Sequence, residues 1–167
     1  MLADDLSGLQ KNVFDACGTK ISQLKAEVES AEYCAMGFRL NQFLAQYRSA
    51  KITPTKLGQF VTLWKRDSPK QPIRPYHVDD QLDLAIIATR QDEKLGYFIF
   101  PVAVMSEQGI VGNNKNPGKR GFRLYPAWDK PVSKQAVKSQ KWQLQYFLEM
   151  TDDIDSNVKR CQQLLSL

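Results

Sequence analysis

The sequence predicts one mixed α/β (α+β) domain over residues 1–167, and three observations lead to this class. The length of 167 residues suits a single domain of ordinary size. The composition, 43% hydrophobic and 25% charged, is that of a globular protein and not of a disordered or fibrous one. Apolar residues recur first with the period of a helix, then in short β-branched and aromatic runs, and finally with the helical period again.

The first third of the chain is predicted to be helical. Apolar residues recur at helical spacing over residues 6–17 and again, after a glycine, over residues 21–28. A longer amphipathic stretch, residues 33–47, keeps one apolar face. We expect these three segments to be helices whose apolar faces lie in the core.

The middle of the chain is predicted to form three strands, residues 60–64, 83–89 and 97–101, which are rich in β-branched and aromatic side chains. The second is apolar enough to be buried on both faces. Charged residues between the second and third predict a hairpin turn. We therefore expect the three segments to be neighbours in one sheet. The side chains expected to be buried there are Leu84, Ile86 and Ile87.

The remainder of the chain is predicted to return to helices after one more strand. Residues 102–108 are long enough for a short helix that stops at a glycine, and residues 122–126 alternate as a fourth strand. A helix should begin after Ser133, its N-cap, and continue to about residue 150. A last helix is predicted over residues 152–165.

Cysteine usage and hydropathy exclude several classes of protein. Cys17, Cys34 and Cys161 are odd in number and far apart, which predicts reduced thiols and not a disulfide framework. Because His77 is the one histidine, a Cys/His zinc site is not expected. No signal peptide is recognisable, and no apolar run approaches the ~20 residues of a membrane helix. We expect a cytoplasmic protein that is not inserted in a membrane.

Positive charge is concentrated in the middle of the chain. Residues 48–76 hold seven basic residues against one acid, and residues 113–141 hold eight against one. The first 34 residues, in contrast, hold six acids against three lysines. This polarity is typical of a surface that binds a polyanion, and a solvated basic face that keeps the protein soluble gives the same pattern.

Two basic segments contain candidate anion-binding residues. In residues 48–66, hydroxyl groups and cations are packed together. In residues 119–129, cations alternate with aromatic rings, which suits nucleic acid because cations meet phosphates while rings stack on bases. Any half-buried strand also shows such alternation. The candidates are Lys51, Thr53, Lys56, Arg66, Lys119, Arg120 and Arg123.

A lysine stripe follows on the helix predicted after Ser133. Lys134, Lys138 and Lys141 are spaced to lie on one side of that helix, opposite an apolar face that includes Val137. Such a stripe either contacts phosphates or only keeps the protein soluble.

Several motifs resemble those of the MepB-like family of bacterial proteins. They lie in the family's order and spacing from about Glu32 to Phe147. The resemblance implies a restriction-endonuclease-like fold, similar to the PD-(D/E)-x-K nucleases, with an αβββαβ core and extra N- and C-terminal helices. It also implies a link to nucleic acid. The motifs include Lys51-Ile52-Thr53-Pro54-Thr55-Lys56, Gly58-Gln59-Phe60-Val61, Trp64-Lys65-Arg66, Arg120-Gly121-Phe122-Arg123 and Gln140-Lys141-Trp142-Gln143.

The nuclease comparison singles out candidate catalytic and metal-binding residues. That pattern places an Asp at the start of the second core strand and an (Asp/Glu)-x-Lys on the third, where the carboxylates hold Mg²⁺ and the lysine positions water. Asp83 stands at the first position, with Asp80 and Glu32 as further candidate ligands. Residues 97–100 carry neither the acid nor the lysine, so catalysis would need a displaced lysine such as Lys65.

The sequence thus predicts a degenerate nuclease-like protein that binds nucleic acid or another polyanion and needs no cofactor. One alternative is an active nuclease that uses Mg²⁺ and a displaced lysine. The other is a protein-interaction or regulatory module with no role on nucleic acid.

Overall fold

A central six-stranded sheet and two smaller ladders make up the β structure of the protein. A computed structural model describes residues 3–166, and the other residues of the predicted domain 1–167, namely Met1, Leu2 and Leu167, lie outside this range. In chain order the elements are α1 (Asp4–Leu9), β1 (Ile21–Ala26), β2 (Met36–Leu40), β3 (Phe43–Ser49), β4 (Lys51–Ile52), β5 (Gln59–Thr62), β6 (Trp64–Lys65), β7 (Arg74–Pro75), β8 (Leu84–Gln91), β9 (Lys94–Pro101), α2 (Val102–Glu107), β10 (Gly121–Leu124), α3 (Lys134–Gln143), β11 (Phe147–Glu149) and α4 (Ile154–Leu165).

The strands of the central sheet lie in the order β1-β2-β3-β8-β9-β11. All neighbours are antiparallel except β3 and β8, which are parallel. A second sheet has the order β10-β5-β4, and β6 pairs with β7. The mixed α/β class predicted from the sequence is confirmed, with a core dominated by the central sheet.

The hairpin of β8 and β9 is buried on both faces of the central sheet. On one face, Ile86 and Ile99 pack in a cluster with residues of α1 and α4. On the other face, Ile87 and Phe98 join a cluster built from β5, β10 and α2. Alternate side chains of the same two strands therefore enter separate cores, as the two-residue period of a strand requires. The predicted hairpin and the predicted burial of Leu84, Ile86 and Ile87 are confirmed.

The predicted helices over residues 21–28 and 33–47 are wrong, because these segments form β1, β2 and β3. The apolar residues from Tyr33 to Tyr47 are three or four apart, which imitates a helical face. In the structure, Met36, Phe38 and Leu40 alternate inward on β2. The chain then turns at Asn41, whose φ of 51° lies in the left-handed region that asparagine tolerates better than most residues.

The segment at residues 60–64 forms a strand, but its predicted place beside β8 is wrong. Both edges of β8 are already paired, one with β3 and the other with β9. Residues 60–62 instead belong to β5, which pairs with β4 and β10 in the second sheet, and Trp64 begins β6. The neighbour of β8 on that side is β3, which comes from the segment predicted to be a helix.

The helix predicted after Ser133 is shorter than expected. Ser133 is its N-cap, as predicted, and its hydroxyl oxygen accepts a hydrogen bond from the Ala136 amide at 3.2 Å. The helix ends at Gln143, and the chain continues into β11, where Phe147 and Leu148 are buried. Val137, expected in the core, is 47% exposed.

The other predicted elements agree with the structure more closely. The short helix before Gly109 is α2, the fourth predicted strand is β10, and the last predicted helix is α4. Cys17, Cys34 and Cys161 are free. Within residues 3–166, no helix combines the length and the apolar character needed to cross a membrane.

A test of the two-sided core is the substitution Gly96→Ala. A Cβ at Gly96 would lie 2.2 Å from the ring of Phe147, which is itself packed against the rings of Phe98 and Trp128. We expect the free energy of unfolding to fall by ~1–3 kcal/mol because the ring has little room to move. The matched control is Gly8→Ala in α1, where nothing lies within 4 Å of the added Cβ. That control should be neutral or stabilising by up to ~1 kcal/mol in urea unfolding. Equal effects of the two substitutions would contradict the packing.

Candidate functional site

A surface depression, which we call the basic groove, has a volume of about 590 Å³. It lies between β10, α3 and the loops that precede β5 and β10. Lys56, Lys119 and Arg123 supply three cations to its walls, and no carboxylate is found among the described residues that line it. The rings of Phe122, Tyr125 and Trp142 also line the groove.

The pairing of β5 with β10 brings the two basic segments together. Arg123 on β10 is opposite Phe60 on β5. The Arg123 guanidinium also reaches across to the first segment, where Nη2 donates to Thr53 Oγ1 at 2.9 Å and Nη1 to the Leu57 carbonyl at 3.2 Å. Segments about 70 residues apart in sequence thus share one surface.

Gly58 allows the loop that carries Lys56 to lie against β10. Its φ is +86°, a conformation that favours glycine, and a Cβ there would lie 2.7 Å from the Leu124 carbonyl oxygen and 2.8 Å from the Tyr125 ring. Any larger residue would therefore push the loop away from the groove.

Gln143 fixes α3 along the other side of the basic groove. Its buried side chain accepts a hydrogen bond from the Tyr125 amide at 2.9 Å and donates one to the Arg123 carbonyl at 2.8 Å. The amide group thus bonds to the backbone of β10 as a neighbouring strand would. Next to it, Trp142 packs 5.2 Å from the ring of Phe100.

The remaining predicted anion-binding residues lie outside the basic groove. The ammonium of Lys51 lies 4.7 Å over the ring of Tyr33, and Arg66 is paired with Glu29 at 2.8 Å. Arg120 is exposed at the start of β10. The three lysines of the stripe are exposed on α3, away from the face that lines the groove. They are Lys134, Lys138 and Lys141.

Asp83, the predicted first catalytic acid, lies directly before β8, where it forms hydrogen bonds with the backbone of β3. Its Oδ2 accepts a hydrogen bond from the Leu44 amide at 2.8 Å, and its own amide donates to the Leu44 carbonyl at 2.8 Å. Glu32 is exposed and lies in a single 3₁₀ turn, Ala31–Tyr33.

Asp80 is held by cations. Arg74 donates two hydrogen bonds of 2.8 Å to its carboxylate, the His77 amide donates another at 2.7 Å, and Lys65 Nζ lies 3.5 Å away. The paired Arg74 guanidinium keeps the pKa of Asp80 well below its usual range. Within residues 3–166, no three His, Cys, Asp or Glu side chains are placed to share a metal ion. The assignment of Glu32, Asp80 and Asp83 to an Mg²⁺ site stays a prediction.

A second depression, which we call the arginine cavity, has a volume of about 520 Å³ and was not foreseen from the sequence. Its walls include Arg48 and Gln46 of β3, Lys65 of β6, and Glu27. In the sequence, Arg48 directly follows the predicted helix 33–47 and opens the first basic segment. That position predicts a surface cation, so nothing indicated that Arg48 would lie inside the protein.

The comparisons with known proteins agree with the resemblance found in the sequence. The model of the MepB-like family matches residues 27–149. The crystal structure of MepB is similar at 36% identity, with a TM-score of 0.75, over 80% of this chain and 89% of that chain. The structure of a bacterial homing endonuclease is weakly similar, at 14% identity and a TM-score of 0.48, over 84% of this chain and 86% of that chain. No curated protein matches the sequence.

The role of Asp80 can be tested by the substitution Asp80→Asn. A carboxyl whose pKa is lowered by folding adds stability above its unfolded pKa of ~3.9, and this stability is lost as the pH falls. We expect Asp80→Asn to reduce the free energy of unfolding by ~1–3 kcal/mol at neutral pH. The difference from the wild type should shrink below about pH 4. Urea unfolding at several pH values measures it.

The matched control for that experiment is Asp79→Asn, because the Asp79 side chain is 88% exposed. Its stability should stay within ~0.5 kcal/mol of the wild type at neutral pH. A difference between Asp80→Asn and the wild type that did not change with pH would show that the carboxylate charge is not the stabilising feature.

Proposed function

This chain belongs to the MepB-like family, and from that premise we propose that it binds nucleic acid along the basic groove without cleaving it. The observation that carries the proposal is the composition of the groove wall. Cations from both basic segments meet there with three aromatic rings, and no carboxylate is found among the described residues lining it.

Three cations with no carboxylate among the described residues of the groove wall favour the binding of a polyanion. Each lysine or arginine that neutralises a phosphate releases condensed counterions, which favours binding and makes it dependent on salt. The arginine cavity provides a contrast, because its lining has three cations and four acids. Of these two cavities, the basic groove is the one whose charge favours a chain of phosphates.

The rings and apolar side chains of the groove favour nucleic acid over other polyanions. Tyr125 and Trp142 are both half-buried and offer partly accessible rings on which bases can stack. Beside them, Val132 is 95% exposed and Leu57 is 48% exposed. Polyphosphate or a sulfated polysaccharide would use the cations of the groove but would gain little from these apolar surfaces.

Binding without cleavage follows from the partners of the predicted catalytic residues. Asp83 bonds to the backbone of β3, and Asp80 is paired with Arg74. The candidate lysine, Lys65, lies beside Asp80 and is drawn into the same ion-pair group. No three His, Cys, Asp or Glu side chains of residues 3–166 are placed to share a metal ion, which favours binding over metal-dependent cleavage.

The double substitution Lys56→Ala, Lys119→Ala tests the basic groove. If both lysines contact phosphates, the log–log salt slope of binding to a single strand should fall by ~1.4, at ~0.7 per lost contact. Fluorescence anisotropy of a labelled single-stranded oligonucleotide, titrated at several salt concentrations, measures the slope. Arg123 is left intact because its hydrogen bonds to Thr53 and Leu57 also hold the loop in place.

The matched control is Lys134→Ala, Lys138→Ala, which removes the same charge from exposed positions of α3 outside the groove. This variant should retain the wild-type slope. Equal losses in both variants would indicate a diffuse basic surface in place of a groove. If the wild type binds no oligonucleotide at low salt, the proposal is wrong and the protein-interaction alternative is favoured. Cleavage that requires Mg²⁺ would favour the nuclease.

A further inference from the structure

Arg48 is a charged side chain inside the protein that neither the fold nor the proposed function explains. It lies on β3, in the middle of the central sheet, is 2% exposed, and forms part of the wall of the arginine cavity. A buried guanidinium is costly unless its charge and its donors are satisfied. Its partners therefore indicate what the cavity can hold.

One edge of the Arg48 guanidinium is occupied, but Nε is not. Nη1 donates to Gln46 Oε1 at 2.9 Å and to the Tyr47 carbonyl at 2.8 Å, which fixes the plane of the group. Nε is buried and has no hydrogen-bond partner among residues 3–166. The Nε edge of a guanidinium is one of the two edges that bind carboxylate and phosphate oxygens in pairs.

The carboxylates around the cavity do not satisfy Arg48. Glu29 is paired with Arg66 at 2.8 Å, and Asp80 is paired with Arg74 at 2.8 Å. Burial lowers the pKa of Arg48, while the nearby Tyr76 hydroxyl and Glu27 act in the opposite direction. Glu27 forms no ion pair with Arg48 within 4.0 Å, so an anion beside the guanidinium would offset the remaining cost of burial.

Gly37 makes room for this arrangement on the neighbouring strand. A Cβ at Gly37 would lie 2.8 Å from Gln46 Nε2 and 3.4 Å from Glu27 Oε1. The missing side chain therefore lets Gln46 and Glu27 lie side by side in the wall of the cavity, where Gln46 orients Arg48.

We propose that the arginine cavity binds a single oxyanion group, a carboxylate or a phosphate, against the part of the Arg48 guanidinium that lines it. Lys65, whose side chain is partly exposed in the same wall, adds a second positive charge. The four acids of the lining disfavour a chain of phosphates, so the ligand is a small molecule or one terminal group. The site shares no lining residue with the basic groove and does not depend on it.

The direct test is to follow the Arg48 Nε–H by NMR in the ¹⁵N-labelled full chain. Inorganic phosphate and acetate are titrated separately, with chloride at equal ionic strength as the control. We expect a saturable shift of one buried arginine Nε–H resonance with at least one of the two oxyanions, and none with chloride. Saturation by phosphate alone, by acetate alone or by both identifies the preferred source of the oxyanion.

Variants assign the signal and test the site. Arg48→Lys keeps the charge but removes the Nε–H, so the shifting resonance should disappear and affinity should fall at least tenfold. Arg39→Lys, on β2 and outside the cavity, is the matched control and should bind as the wild type does. Should Arg48→Lys fail to fold, Gln46→Ala provides the test, because it removes the acceptor that orients Arg48 and should weaken binding.

Glu27→Gln tests the electrostatic argument with an effect of the opposite sign. Removing the unpaired carboxylate near Arg48 should tighten oxyanion binding severalfold, which a merely structural Arg48 would not produce. The proposal is overturned if neither phosphate nor acetate shifts the resonance in the wild type. It is also overturned if Glu27→Gln leaves the affinity unchanged, since the anion would then lie elsewhere.

Discussion

Burial of β8 and β9 on both faces determines where every other part of the protein lies. Since six consecutive residues of β8, Leu84–Thr89, are buried, each face of this hairpin must be covered by different elements. α1 and α4 cover one face, and β5, β10 and α2 cover the other. The basic groove lies beside the second cover, because β10 and α3 are held there. The groove is thus a consequence of how the second face of the central sheet is covered.

The elements that were predicted correctly are those whose local sequence pattern fits one structure only. The apolar run before Arg90, the charged turn and the aromatic run after it suit only a hairpin. The segment from Tyr33 to Tyr47 has two interpretations, since its apolar spacing fits a helix while Asn41 sits where a tight turn joins two strands. Pairing with β8, about 40 residues later in the chain, decides between them. The spacing of neighbouring residues carries no information about a contact with a strand so distant in the chain.

The sequence predicted which residues supply the charge of the basic groove, but not which of them lie together. Lys56, Lys119 and Arg123 were recognisable as basic residues among aromatic ones, and the structure brings them to one groove. Lys134 and Lys138 had an equally clear pattern but lie on the other side of α3. What separates the two sets is Gln143, whose hydrogen bonds to β10 choose the face of α3 that lines the groove. A buried glutamine near a helix end has no signature that reveals such a role.

The two cavities differ in how their charges are compensated, and this difference bears on what each can bind. Around β6 and β7, Lys65, Arg66 and Arg74 are matched with carboxylates at 2.8–3.5 Å, so their attraction for a distant anion is largely cancelled. At the basic groove no carboxylate of residues 3–166 is paired with the cations, so their fields add. A long polyanion samples the summed field of a surface, whereas a small ligand in a cavity samples individual donors. The charge of the groove therefore favours the proposed nucleic-acid ligand, and the buried guanidinium of Arg48, whose Nε has no partner among residues 3–166, favours the proposed oxyanion at close range.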